Sequence, residues 1–82
     1  MKLCFHPRTH KFLRKLNKKE AMELFQKIDE LSKNPFSNKL DIKKLTTTKR
    51  TYRMRIGQKR VVYEIMDNIV YIQDIDFRGN IY

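Results

Sequence analysis

The run YRMRIGQKRVVY, residues 52–63, alternates in character on both sides of a Gly57-Gln58 break. Period-two alternation sends successive side chains to opposite faces of a sheet. Glycine supplies the positive φ that a two-residue hairpin turn requires. With those two residues as the turn, counting back pairs Ile56 with Lys59, Arg55 with Arg60 and Arg53 with Val62. Arg53, Arg55 and Arg60 then share one face, and Tyr52, Met54, Ile56, Val61, Tyr63 and Ile65 point the other way. A slip of one residue would exchange the two sets, so the apolar pattern itself sets the register.

Working outward, the β-branched and aromatic residues from Arg50 onward fall into three runs, the second break being Asp67-Asn68. Those residues also tolerate positive φ. Across this second turn Met66 pairs with Ile69, Glu64 with Tyr71, Val62 with Gln73 and Arg60 with Ile75, which adds Tyr71, Gln73 and Phe77 to the arginine face. Upstream, Lys2 to His6 reads as a short strand closed by Pro7, and Phe12, Leu13 and Leu16 recur at helical spacing. Asn17 followed by Glu20 predicts a reciprocal cap on a second helix, whose stripe is Ala21, Leu24, Phe25, Ile28 and Leu31. Asn34-Pro35 ends that helix. From Phe36 to Lys49 no period is clear, and the segment reads as a loop with one short extended piece at most. The expected fold is α+β, with a short N-terminal strand and two helices packed on one face of an antiparallel sheet whose last three strands form a meander.

At 82 residues the chain has material for one modest core, so residues 1–82 read as a single domain. No apolar run approaches the roughly 18 residues that cross a bilayer, and the N-terminus lacks a secretion-type apolar stretch. A cytoplasmic protein without membrane association is expected. Cys4 is the sole cysteine, which excludes an internal disulfide, and its alternation with Leu3 and Phe5 suggests an ordinary strand residue. Two histidines and scattered carboxylates offer no metal-ligand spacing, so neither metal nor cofactor is expected.

Lys and Arg number 19 against 9 Asp and Glu, a net charge of +10 that favours an anionic partner, with nucleic acid the natural candidate. Three converging guanidinium groups, always charged and forked, suit a strained phosphodiester. The plainer alternative is that these long side chains splay into water. Tyr71 and Phe77, interleaved with arginines, suit unpaired bases, whose stacking contributes roughly 1–3 kcal/mol each; a protein partner would cover them equally well. Lys43, Lys44, Lys49, Arg50 and Lys59 extend the cationic set expected to contact RNA.

The stretch from Tyr52 to Tyr63 resembles the central signature of the RelE/ParE toxin superfamily, on its RelE-like mRNA interferase branch. The ending Phe77-Arg78-Gly79-Asn80-Ile81-Tyr82 resembles that family's closing arginine and tyrosine. Leu31 to Pro35, followed by Leu40 or Leu45, matches its usual pause before the sheet.

The resemblance implies a toxin of a type II toxin–antitoxin system, a ribosome-dependent endoribonuclease (mRNA interferase) that cleaves messenger RNA in the decoding site by 2′-hydroxyl attack. It implies phosphate binding and transition-state stabilisation for Arg53, Arg55 and Arg60, base stacking for Tyr82, and charge stabilisation or leaving-group protonation for Arg78. Its implied partners are an acidic cognate antitoxin, in a hetero-oligomer, and the ribosome with its message. Where active relatives can carry lysines, Arg53 and Arg55 stand here. Arginine stays protonated and is a poor base, so the proton acceptor is unassigned. Glu64 is expected on the same face in a surface ion pair, and His6 and His10 lie outside the matched motif. Two other readings remain: a ParE-like DNA gyrase inhibitor on the same scaffold, and a non-catalytic RNA- or antitoxin-binding member.

Overall fold

In a computed structural model of the chain, residues 1–45 and 50–77 are described. The order of elements is β1 (Lys2–Phe5), α1 (Arg8–Leu13), α2 (Lys18–Lys33), β2 (Asp41–Lys44), β3 (Thr51–Ile56), β4 (Lys59–Met66) and β5 (Ile69–Phe77). The strands form one sheet in the order β1-β5-β4-β3-β2. The meander β3-β4-β5 is antiparallel as expected, β2 extends it on one edge, and β1 adds to the other edge parallel to β5. The sheet is therefore mixed. A parallel neighbour requires a crossover, and α1 and α2 lie within the segment that leads from β1 to the far edge.

Local chemistry explains where each element starts and stops. Pro7 occupies the N-cap of α1, and the Thr9 hydroxyl and amide both donate to the His6 carbonyl, at 2.8 and 2.9 Å, which anchors the turn out of β1. In α2 the predicted reciprocal cap is present: Asn17 Oδ1 accepts from the Glu20 amide at 2.8 Å, and Glu20 Oε1 accepts from the Asn17 amide at 3.2 Å. The Asp67-Asn68 turn has positive φ at both residues (53° and 63°), the pattern of a primed hairpin turn. At the other turn Gly57 has φ 58°.

The core joins Phe12 of α1 and Leu24, Ile28 and Leu31 of α2 to Met54, Val61, Tyr63, Val70, Ile72 and Ile75 of the sheet. Tyr52, Ile56 and Ile65 pack against it, so every side chain assigned from the alternation to the helix-covered face is found there. Phe25 departs from the predicted stripe: it is 45% exposed and meets Phe5 edge-on. Tyr63 is fully buried, stacks on Tyr52 at 5.5 Å, and points its hydroxyl to the Pro35 carbonyl at 3.4 Å. Burial, and secondarily the neighbouring Tyr52, drives the Tyr63 phenol well above its usual ionisation range.

One register expectation is corrected. The β4–β5 pairing follows the count only from Met66–Ile69 to Tyr63–Ile72, and then a bulge makes Gln73 the extra residue. Beyond it Val62 faces Asp74 instead of Gln73, and Arg60 faces Asp76 instead of Ile75. A single added residue inverts the alternation downstream. Ile75 thereby turns into the core and Phe77 follows it, its ring meeting Phe12 edge-on at 5.2 Å.

A Cβ added at Gly57 meets nothing within 4 Å, so the cost of Gly57→Ala is conformational alone. It is expected to lower unfolding stability by about 1–2 kcal/mol, whereas Asn68→Gly, at a position already left-handed, should change it by no more than a few tenths; urea titrations check both. The Tyr63 phenol has a raised folded-state pKa, so its proton is held more tightly in the folded chain. Stability should thus be fully present below the ordinary tyrosine pKa and fall as pH rises beyond it. Thermal melts between pH 8 and 11 should show a shallower alkaline decline in Tyr63→Phe.

Candidate phosphate-binding face

The sheet face opposite the helices is built from rows of paired residues. One row reads Asp41, Arg55, Arg60, Asp76 across β2, β3, β4 and β5. The next reads Lys43, Arg53, Val62, Asp74, and a third reads Thr51, Glu64, Tyr71, Cys4 on β3, β4, β5 and β1. Arg53, Arg55 and Arg60 share this face, and none lies beneath the helical layer.

Their environments differ. The Arg55 side chain is about half exposed and its Nε donates to Asp41 Oδ2 at 2.8 Å, a short charge-assisted bond. Arg53 is sunk, with 11% of its side chain exposed, and its NH1 lies 3.8 Å from Asp41 Oδ1. Among the described residues that buried NH1 has no hydrogen-bond partner. Arg60 is also partly buried. A buried guanidinium N–H without an acceptor is costly, on the order of 1–3 kcal/mol or more for a charged group. An anion with several oxygens reaching this patch would remove that penalty.

The remaining candidates divide between the two faces. Lys43 stands opposite Arg53 on the open side. Tyr71 is there too, beside Cys4, in a hollow of about 180 Å³ lined by Cys4, His6, Pro7, Tyr71, Ile72 and Gln73. Phe77 is not on this face, because the bulge has rotated it onto Phe12. Lys59 also projects to the helical side, where its ammonium lies 3.8 Å from the Glu20 carboxylate and only 12% of the side chain is exposed. Lys44 shares the parity of Ile42, which packs on the core, and so sits on the helix side of the β2 edge. Arg50 is exposed before β3, its NH1 at 3.2 Å from Met66 Sδ. Lys49, Arg78 and Tyr82 lie outside the described residues.

Of the candidate bases, Glu64 stands nearer to the arginines than His6. Among the described residues Glu64 accepts from Gln73 Nε2 at 3.3 Å in place of the expected ion pair; it is the diagonal neighbour of Arg53 across β3 and β4, about 7–8 Å away, and four residues along β4, roughly 13 Å at strand rise, from Arg60. His6 Nδ1 accepts from the Arg8 amide and Nε, both at 3.1 Å. It follows β1, two strand spacings or roughly 10 Å from β4, which carries Arg60, and three or about 14 Å from β3.

Sequence reasoning missed the acids of this face. Asp41, Asp74 and Asp76 interleave with Lys43, Arg53, Arg55 and Arg60, so the face is mixed in sign. Much of the positive excess lies elsewhere: Arg8, Lys11, Arg14, Lys15, Lys18 and Lys19 are all exposed, with no acid among residues 8–19. That run was legible in the sequence as an uninterrupted charge block. Among the described residues no helix is long and apolar enough to cross a membrane, and no three His, Cys, Asp or Glu side chains form a metal-binding group.

No protein-family model matches the chain. A curated protein of Methanocaldococcus jannaschii named "Putative toxin RelE1" is 35% identical over 80 residues, covering 94% of this chain and 89% of that one. The fold superposes on a chain of the archaeal RelE-RelB complex from Pyrococcus horikoshii with a TM-score of 0.83, at 28% identity and 96% coverage of both chains. It also superposes on the intact Escherichia coli RelBE toxin-antitoxin complex with a TM-score of 0.79, at 23% identity, 96% coverage of this chain and 98% of that one, a likeness of fold alone. Identity of this extent over nearly the full length of the M. jannaschii protein means that the chain belongs to the RelE toxin family.

Proposed function

We propose that this chain is the toxin of a type II toxin–antitoxin system and acts as an endoribonuclease on messenger RNA in the ribosomal decoding site, in the cytoplasm. The observation that carries the reading is the sunken Arg53 guanidinium, with a buried NH1 lacking an acceptor, beside Arg55 and Arg60 on the face that the helices leave open. Three fixed positive charges at one patch match the charge that accumulates when a phosphodiester becomes pentacoordinate.

The 2′-oxygen of one nucleotide attacks the adjacent phosphorus while the bond to the 5′-oxygen of the next nucleotide breaks. The 2′-hydroxyl proton leaves to an acceptor and the departing oxygen gains one, so the products are a 2′,3′-cyclic phosphate and a 5′-hydroxyl. Arg53, Arg55 and Arg60 bind the nonbridging oxygens, and Arg55, the most accessible of the pair on β3, makes the first contact. Arg78 assists at the leaving oxygen and Tyr82 stacks on a codon base, both by family resemblance. Tyr71 offers a second aromatic surface on the open face, and Lys43 a flanking cation. The ribosome contributes alignment of the message, worth several powers of ten when reacting atoms are held in line. The partner outside the ribosome is an acidic antitoxin, whose carboxylates neutralise the same guanidinium groups. RelE-RelB pairing in the solved structures of similar proteins supports that partner.

Arg55→Ala and Arg60→Ala are each expected to reduce ribosome-dependent cleavage of a translated message by more than tenfold while circular dichroism stays native-like. Because Arg60 is partly buried, Arg60→Gln serves as the companion variant that keeps its packing. Unchanged cut-site maps in all three would overturn the assignment, and gyrase-dependent DNA breakage without RNA cuts would replace it with a ParE-like activity. Chelation of divalent cations from the toxin before assay is expected to leave its cleavage rate intact, since the guanidinium groups supply the charge stabilisation.

A further inference from the structure

Asp41 is the acid that touches the arginine pair of β3. It opens the edge strand β2, and its backbone is held there by Leu40, which is buried in the core and whose amide bonds to the Ser37 carbonyl at 3.2 Å. The antiparallel register then sets Asp41 opposite Arg55, so its carboxylate must rise from the open face. Its two oxygens divide between the two arginines, Oδ2 at 2.8 Å from Arg55 Nε and Oδ1 at 3.8 Å from Arg53 NH1. A carboxylate spanning two guanidinium groups occupies the place of two phosphate oxygens.

That contact has two consequences. Arg53 and Arg55 project from the same face of one strand, with Arg60 directly across from Arg55. Without a counter-ion these like charges would swing apart, since an arginine side chain has about 2 kcal/mol of rotamer freedom to regain. Asp41 holds the fork in one arrangement before any ligand arrives. The second consequence is competition: an incoming anion must displace the carboxylate from Arg55. The carboxylate has somewhere to go, because Asp41 is about half exposed and borders a hollow of about 210 Å³ that is also lined by Lys27 and Lys39.

We infer that Asp41 is a positioning residue that presets the Arg53–Arg55 fork and yields it to a phosphodiester able to engage both guanidinium groups at once. A monatomic anion such as chloride, which has no second oxygen with which to bridge the two arginines, does not displace it. The inference rests on the reading of this face as a phosphate-binding surface and adds to it a selection among anions.

The test uses the intact protein with 15N-labelled arginine, titrated with pyrophosphate, and compares wild type, Asp41→Asn and Asp41→Glu. Asp41→Asn keeps the shape and an acceptor oxygen but removes the charge. It is expected to raise the mobility of the Arg55 Nε–H signal and to lower the pyrophosphate midpoint at least threefold. In ribosome-dependent cleavage the same variant should lose several-fold in kcat with no rise in KM, and Asp41→Glu should recover both readouts to within twofold. Folded Asp41→Asn protein with unchanged Arg55 Nε mobility and midpoint would overturn the inference. So would equal losses in Asn and Glu variants that merely track a fall in melting temperature, which would reduce Asp41 to an edge-strand prop. If the Nε signals respond as expected while even wild type cuts no translated message, the fork stands and the nuclease reading fails.

Discussion

The register of the β3–β4 hairpin is the constraint on which the rest depends. Met54, Val61 and Tyr63 are fully buried against the helices, and turning such side chains into water costs roughly 1.5–3 kcal/mol each. The opposite face sets Arg55 against Arg60, a like-charge pair that costs only some tenths of a kcal/mol. Apolar burial wins by about an order of magnitude. The arginines are therefore forced together as a by-product of the core, and the charge problem is left for the neighbouring strands to manage.

Those strands manage it from both sides. Register pairing flanks the two central arginines with Asp41 on β2 and Asp76 on β5. Asp76 reaches that position only because the bulge at Gln73 has inverted the alternation of β5; without it Ile75 would stand opposite Arg60. The same inversion returns Ile75 to the core and lays Phe77 on Phe12. One extra residue thus serves both faces, closing the apolar layer over α1 and placing an acid beside the arginine row.

What was legible in the sequence follows from where physical signals are local. The Gly57-Gln58 and Asp67-Asn68 turns, the Asn17-Glu20 cap and the inward set from Tyr52 to Ile65 are each determined within a few residues, and all are found as read. A bulge carries no such mark, since residues 69–77 alternate plausibly in either register and only the packing of Ile75 decides between them. Strand β2 was equally faint because four residues on a sheet edge, mostly exposed, need no apolar period. Its pairing is a long-range fact, and with it went the recognition of Asp41. The placement of Phe77 on the arginine face failed for a related reason, since the bulge rotates its ring onto Phe12.

The mixed sign of the open face bears on how a strongly basic protein discriminates among anions. A uniformly positive sheet would attract any polyanion, with an affinity set by charge number and salt. Here the arginines are already partly compensated by carboxylates held at fixed register, so weak or monodentate anions gain little by approaching. A ligand profits only if it replaces a carboxylate with better geometry and also satisfies the sunken Arg53 NH1. The uncompensated cations of residues 8–19 are free to provide nonspecific attraction from a separate part of the surface. Division of labour of this kind lets overall charge govern encounter while the paired face governs which phosphate is accepted.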